Sequence, residues 1–187
     1  LALKWSGLSK NRIIGMGGTL DSARYKYQLS EKLNASAADL NAIVIGGHGD
    51  TTMIPLIKHS TWNSIPVSNF LTAEEQAEIV HKTMVGGATL TSLIGTSAWY
   101  APGSAAAQMV EAIVRDQRRV FPVCVKLEGE YGIDGVYLGV PVILGKNGIE
   151  RIIELDLNED EKQLLETSRG HVKEVMDALD NINAAKA

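Results

Sequence analysis

From Arg118 to Leu157 the sequence leaves helical spacing for three alternating, β-branched segments, Val120–Leu127, Val136–Leu144 and Ile149–Leu155, parted by glycine turns. Alternation with a period of two sends successive side chains to opposite faces of a strand. Lys146-Asn147-Gly148 carries the Asn-Gly signature of a tight hairpin, so these strands are expected to run antiparallel. Such a sheet needs its apolar face covered, and the remaining sequence must supply the cover.

Four helical stretches do so. Gly15-Met-Gly-Gly-Thr-Leu-Asp21 punctuates the chain, after which Thr19 or Asp21 is placed to cap a helix reaching about Asn34, with Ala23, Tyr27 and Leu33 near one face. Thr72-Ala-Glu-Glu75 has the capping-box pattern and opens a helix to about Ile94. Gly86-Gly87 sits in its middle, where each glycine costs about 1 kcal/mol relative to alanine, so close approach of another backbone or a kink is expected there. After Ala101-Pro102-Gly103 a helix is expected from about Ser104 to Gln117, with Ala105 to Ala107 packing tightly. Asn158 and Glu161 open the last helix, whose Leu164, Leu165, Val172, Val175, Met176 and Leu179 fall at helical spacing. A further buried strand, Leu40–Ile45, delivers a turn at Gly46 to Asp50. With no repeat or linker, residues 1–187 read as one α+β domain, helices packed on a twisted, mainly antiparallel sheet.

Composition narrows the function classes. The 187 residues are 45% apolar with a formal net charge of -4, enough for one good core without disulfides or structural metal. Neither a basic block nor an aromatic-interleaved basic stripe offers nucleic acid a footprint. No apolar run approaches a membrane span, and the N-terminus lacks signal-peptide character. The lone Cys124 in Phe121-Pro-Val-Cys-Val125 reads as a buried structural thiol, and a cytoplasmic location is expected. A start at Leu1 rather than methionine leads us to expect a piece of a longer protein.

Few residues have the right chemistry for catalysis. Gly15-Met-Gly17-Gly18 is a poor dinucleotide loop, because Leu20 stands where a third glycine is needed and no βαβ unit frames it. Gly139 to Lys146 has the wrong spacing for a phosphate loop and Asn147 in place of Ser or Thr. Asp21 and Arg24, three apart, share one helix face, which is also the pattern of an ordinary surface ion pair. His48 lies between Gly47 and Gly49 at a strand end, a rigid support for an exposed imidazole. A zinc site from His48, Asp50 and His59 lacks helical spacing and a well-placed further ligand, so no metal is expected. His81 and His171 have no neighbouring constellation, and Ser22 and Ser60 lack a nucleophile elbow.

Taken together, Ser6-Gly7 through Arg12-Ile-Ile-Gly-Met-Gly-Gly-Thr-Leu-Asp-Ser-Ala-Arg24, Ile45-Gly-Gly-His-Gly-Asp50, Ser97-Ala-Trp-Tyr-Ala-Pro-Gly103, Gly129-Glu-Tyr-Gly132 and Gly139-Val-Pro141 resemble the lactate and malate dehydrogenase superfamily. Within it, the chain is similar to the lactate-dehydrogenase-like malate dehydrogenases of bacteria. The resemblance implies that His48 is the proton carrier, Asp21 its carboxylate partner and Arg24 the binder of the substrate's C1 carboxylate. It places Met16, Leu20, Ala98 and Ser97 around the nicotinamide and substrate, with small Ala98 leaving room for a substrate longer than lactate. It further implies NAD as cofactor, malate and oxaloacetate as substrates, and a homo-oligomer. The N-terminal Rossmann half that binds NAD, with its substrate-reading loop, is expected to be absent from this chain, which should then be inactive alone. Lactate or another 2-hydroxy acid as substrate, or a subunit-assembly role, stay open.

Overall fold

The computed structural model describes residues 1–184. Its helices are α1 (Ala2–Ser6), α2 (Gly17–Leu33), α3 (Ala73–Ile94), α4 (Tyr100–Val114) and α5 (Glu159–Ala184). Its strands are β1 (Leu40–Asn41), β2 (Val44–Gly46), β3 (Met53–Pro55), β4 (Thr61–Trp62), β5 (Ile65–Pro66), β6 (Arg119–Glu128), β7 (Asp134–Gly145) and β8 (Gly148–Ile152).

The long strand β7 organises a five-stranded antiparallel sheet. One edge pairs with β6 from Arg119↔Leu144 to Glu128↔Asp134, with an irregularity between Lys126 and Glu128. The other edge takes β8 through the Lys146-Asn147 turn, closed by Gly145↔Gly148 with Gly148 at φ 87°, and meets β2 at Gly46↔Gly139. β3 extends the sheet beyond β2. The antiparallel expectation therefore holds, although β8 stops at Ile152 rather than Leu155. There the Tyr131 hydroxyl replaces ladder bonds, donating to the Ile153 carbonyl at 2.8 Å and accepting from the Leu155 N–H at 3.0 Å.

The run Leu40–Ile45 is two strands, not one. Leu40 pairs with Trp62 in a small sheet ordered β1-β4-β5, while Val44 pairs with Pro55 in the main sheet. A short apolar run carries no mark of where it changes partners. Two apolar clusters result. One joins β6 and β7 to Met109 and Ala112 of α4 and Leu165 of α5; the other joins Tyr25 and Leu29 of α2, Ile79 of α3, and Val44 and Met53.

The helices depart from expectation at their ends and faces. α2 begins at Gly17 with no side-chain cap, so Thr19 and Asp21 lie inside its first turns. Both are committed elsewhere: the Thr19 hydroxyl donates to the Pro122 carbonyl at 3.1 Å, and Asp21 faces His48. The buried stripe is Leu20, Asp21, Tyr25 and Leu29, whereas Ala23 and Tyr27 face solvent. α4 starts at Tyr100, earlier than Ser104, because Pro102 in the first turn forfeits no helical hydrogen bond. Only Ala105 of its three consecutive alanines is buried, in line with Met109 and Ala112; Ala106 and Ala107 are exposed. Both capping boxes form, Thr72 with Glu75 and Asn158 with Glu161. On α5, Leu165 is buried and Val172 and Met176 pack on the sheet, while Leu164 and Val175 are exposed. Cys124 is half-buried and burial raises its thiol pKa, in keeping with a structural role.

Candidate active site

Asp21 is fixed first. It lies in α2, 1% exposed, and α2 is anchored to β6 through Thr19 and to β2 through Ser22, whose hydroxyl accepts from the Val44 N–H at 2.9 Å. Its two carboxylate oxygens have different partners. Oδ2 meets His48 Nδ1 at 2.7 Å, and Oδ1 accepts from Arg24 Nη1 at 3.2 Å. Arg24 is one helical turn along the same face, which is why the pair can form.

His48 arrives from the loop between β2 and β3. That loop is pinned by the Gly47 N–H, which donates to Ser168 Oγ of α5 at 2.8 Å, and by the Gly49 N–H, which donates to Thr52 Oγ1 at 2.9 Å. The imidazole side chain is 52% exposed. A carboxylate can only accept, so neutral His48 carries its proton on Nδ1 and leaves Nε2 free as a base. The Asp21 hydrogen bond raises the His48 pKa above the usual imidazole value, against the opposing pull of partial burial. Its charged form is thus favoured, and the ring can hold or release a proton near neutrality.

These groups open onto a cleft of about 590 Å³ between α2, the His48 loop, α3 and the start of α4. Leu20, Arg24, His48, Ser97 and Ala98 all line it, together with Asp50, Gly87, Ala88, Thr91, Ser92 and Pro102. Asp21 lies beneath His48 and Arg24. Met16 does not line this cleft: it stands at the head of α2 and packs, partly buried, against the main core. Gly86-Gly87 admits the side chain of Arg24 rather than another backbone, and α3 is continuous through it. His59 is elsewhere, with Nε2 3.2 Å from the Asp156 carbonyl, and among the described residues no group of three His, Cys, Asp or Glu could hold a metal ion.

Sequence reasoning missed the α3 wall and the supports of the loop. Gly87 and Thr91 are four apart and Ala88 and Ser92 likewise, a small-residue stripe that helical spacing makes visible once α3 is known to face Arg24. Ser168, 121 positions from the residue it holds, has no local sequence signal.

Comparisons with known proteins show the family. Residues 18–182 match the lactate/malate dehydrogenase, alpha/beta C-terminal domain family. The malate dehydrogenase of Bacteroides thetaiotaomicron is 56% identical over 184 residues, which cover 98% of this chain and 59% of that protein. The structure of malate dehydrogenase from Salinibacter ruber superposes with a TM-score of 0.96 at 44% identity, covering 100% of this chain and 61% of that one. Lactate dehydrogenase from Cryptosporidium parvum, complexed with lactic acid and nicotinamide adenine dinucleotide, gives a TM-score of 0.92 at 38% identity, covering 96% of this chain and 58% of that one. The chain thus spans less than two thirds of the proteins it matches. It belongs to the lactate/malate dehydrogenase family, in the part that forms the family's α/β C-terminal domain.

Proposed function

We propose that this chain is the catalytic and substrate-binding half of an NAD-dependent malate dehydrogenase that interconverts (S)-malate and oxaloacetate. The observation that carries the proposal is the single buried carboxylate of Asp21, which holds both His48 and Arg24 at one cleft. The relatives' shared name supports malate as substrate.

In the oxidising direction Arg24 grips the C1 carboxylate, and its planar fork fixes the reacting carbon as a lysine could not. His48 Nε2 takes the hydroxyl proton, and Asp21 stabilises the imidazolium that forms. A nicotinamide dinucleotide, when bound, supplies the hydride acceptor. The chain offers it Leu20, Ala88 and Ala98, an apolar wall suited to a planar ring rather than to phosphates. The glycine run from Gly15 to Gly18 offers no phosphate cradle, because Cys124 and the Pro122 carbonyl already fill the space beside Gly15 and Gly18. We therefore place the dinucleotide-binding half, and the loop that reads the distal carboxylate, outside this chain. The enzyme is proposed to work in the cytoplasm.

The chain alone is expected to turn over nothing. Joined to an upstream dinucleotide-binding half, it should oxidise malate and reduce oxaloacetate in preference to pyruvate. Failure of that joined protein on every 2-oxo acid would refute the dehydrogenase reading, and preference for pyruvate would refute malate. The likeness to lactate dehydrogenases at TM-scores of 0.94 and 0.92 keeps pyruvate the natural competitor. A homo-oligomer is proposed as well, and sedimentation of the joined protein tests it.

A further inference from the structure

Two glycine pairs are unexplained by the catalytic roles above, and each contains one residue under a reacting side chain. A Cβ at Gly17, the first residue of α2, would lie 2.8 Å from His48 Cγ, 2.9 Å from His48 Cβ and 3.0 Å from Nδ1. A Cβ at Gly87, midway along α3, would lie 3.1 Å from Arg24 Nη1 and 3.4 Å from both Cζ and Nη2. The neighbours of these glycines differ. At Gly86 a Cβ would meet only Arg24 Cδ, at an ordinary 3.8 Å, and at Gly18 it would meet the Pro122 carbonyl rather than any group of the cleft.

We propose that Gly17 and Gly87 are positioning residues, bare backbone seats on which the His48 imidazole and the Arg24 guanidinium rest. The proposal stands on the dehydrogenase reading for its kinetic consequences, but the seats themselves are geometric. At Gly17 the imidazole ring is gripped between the helix backbone and Asp21, so the ring plane is set before substrate arrives. A methyl group there must push Nδ1 away from Oδ2, because two ring atoms and Cβ would be nearer than van der Waals contact permits. At Gly87 the displaced atoms are the free end of a long side chain. The guanidinium yields at little cost to the fold, and the displacement falls on Nη1 and Nη2, the atoms that bind carboxylates. This accounts for a glycine in a helix interior, where alanine has the better propensity.

Gly86→Ala and Gly87→Ala form a matched pair, since both gain helix propensity and only the second meets the guanidinium. In the joined protein, Gly87→Ala should raise the KM for oxaloacetate by about 3- to 10-fold while kcat falls less, because the guanidinium must give by a few tenths of an ångström at an orienting group. Gly86→Ala should leave KM within about twofold and melt no lower than the parent. In this chain by itself, an NMR titration of His48 should move toward the ordinary value of about 6.5 in Gly17→Ala and stay in place in Gly86→Ala. Equal KM values for the matched pair would overturn the Gly87 seat. An unmoved His48 titration in Gly17→Ala, or failure of that variant to fold, would overturn the Gly17 seat, since the exposed His48 loop has room to give. If the joined parent turns over no 2-oxo acid, the dehydrogenase reading fails, and the His48 titrations still judge the Gly17 seat.

Discussion

At the scale of single residues, Asp21 sets the charge state of the site. Because its hydrogen bond raises the His48 pKa, the stabilisation from that pair is present in full below about pH 6.5 and fades as pH rises through the elevated value. On the proposed function, malate oxidation would need neutral imidazole and should rise with pH through that point, whereas oxaloacetate reduction would need imidazolium and should fall. In Asp21→Asn both limbs should shift to lower pH, as recorded by pH–rate profiles and by the His48 NMR titration. His48→Ala should cost about 10²- to 10⁴-fold in kcat, the usual share of general acid–base catalysis. Tyr25 offers a contrasting case. Its hydroxyl is buried, raised in pKa by that burial, and has no well-formed hydrogen bond among the described residues. Tyr25→Phe should therefore leave stability unchanged or raise it by about 1 kcal/mol in urea unfolding. A loss of that size instead would reveal a bond made in solution. That Asp21 and Arg24 share a helix face was legible from their spacing, which an ordinary surface ion pair also has, and His48 stood out by its glycine setting, but no local signal told that the three side chains meet. Ser22 was not legible, since a hydroxyl that anchors a strand looks like any helical serine.

At the scale of elements, the sequence predicted those whose ends carry their own chemistry. α3 runs from Ala73 to Ile94 as read, because the Thr72–Glu75 box defines its start and Gly95 its end. Thr72→Ala should cost about 1 kcal/mol by chemical denaturation, the usual worth of an N-cap. α2 and α4 were misplaced at their starts because neither has a side-chain cap; tertiary contacts to β6 and an early proline decide where they begin. The apolar faces of α2 and α5 were blurred for a related reason. Tyr27 and Val175 are apolar yet exposed, and no periodicity separates a residue that packs from one that merely sits on the right arc. Leu29, fully buried between α2 and its neighbours, is the better probe of that seam, and Leu29→Ala should destabilise by roughly 2–5 kcal/mol.

At the scale of the whole molecule, the fold class was legible because the β6–β7–β8 meander is contiguous and its turns are marked. The joining of β2 to β7 at Gly46↔Gly139 was not, since that pairing spans about half of the chain and leaves no local trace. Yet this junction puts the His48 loop on the main sheet, and α5 then clamps it. Ser168→Ala removes one of the two acceptors of the Gly47 N–H, leaving the Thr52 carbonyl at 3.1 Å, and should lower kcat of the joined protein while its melting temperature moves little. A melting loss with unchanged kcat would assign Ser168 to the fold alone. That clamp also ties the chemistry to the order of synthesis. Because the fastening from α5 lies 121 positions downstream of Gly47, a chain still emerging from the ribosome holds the His48 loop by its local bonds to Thr52, without this clamp, until α5 has been made and docked.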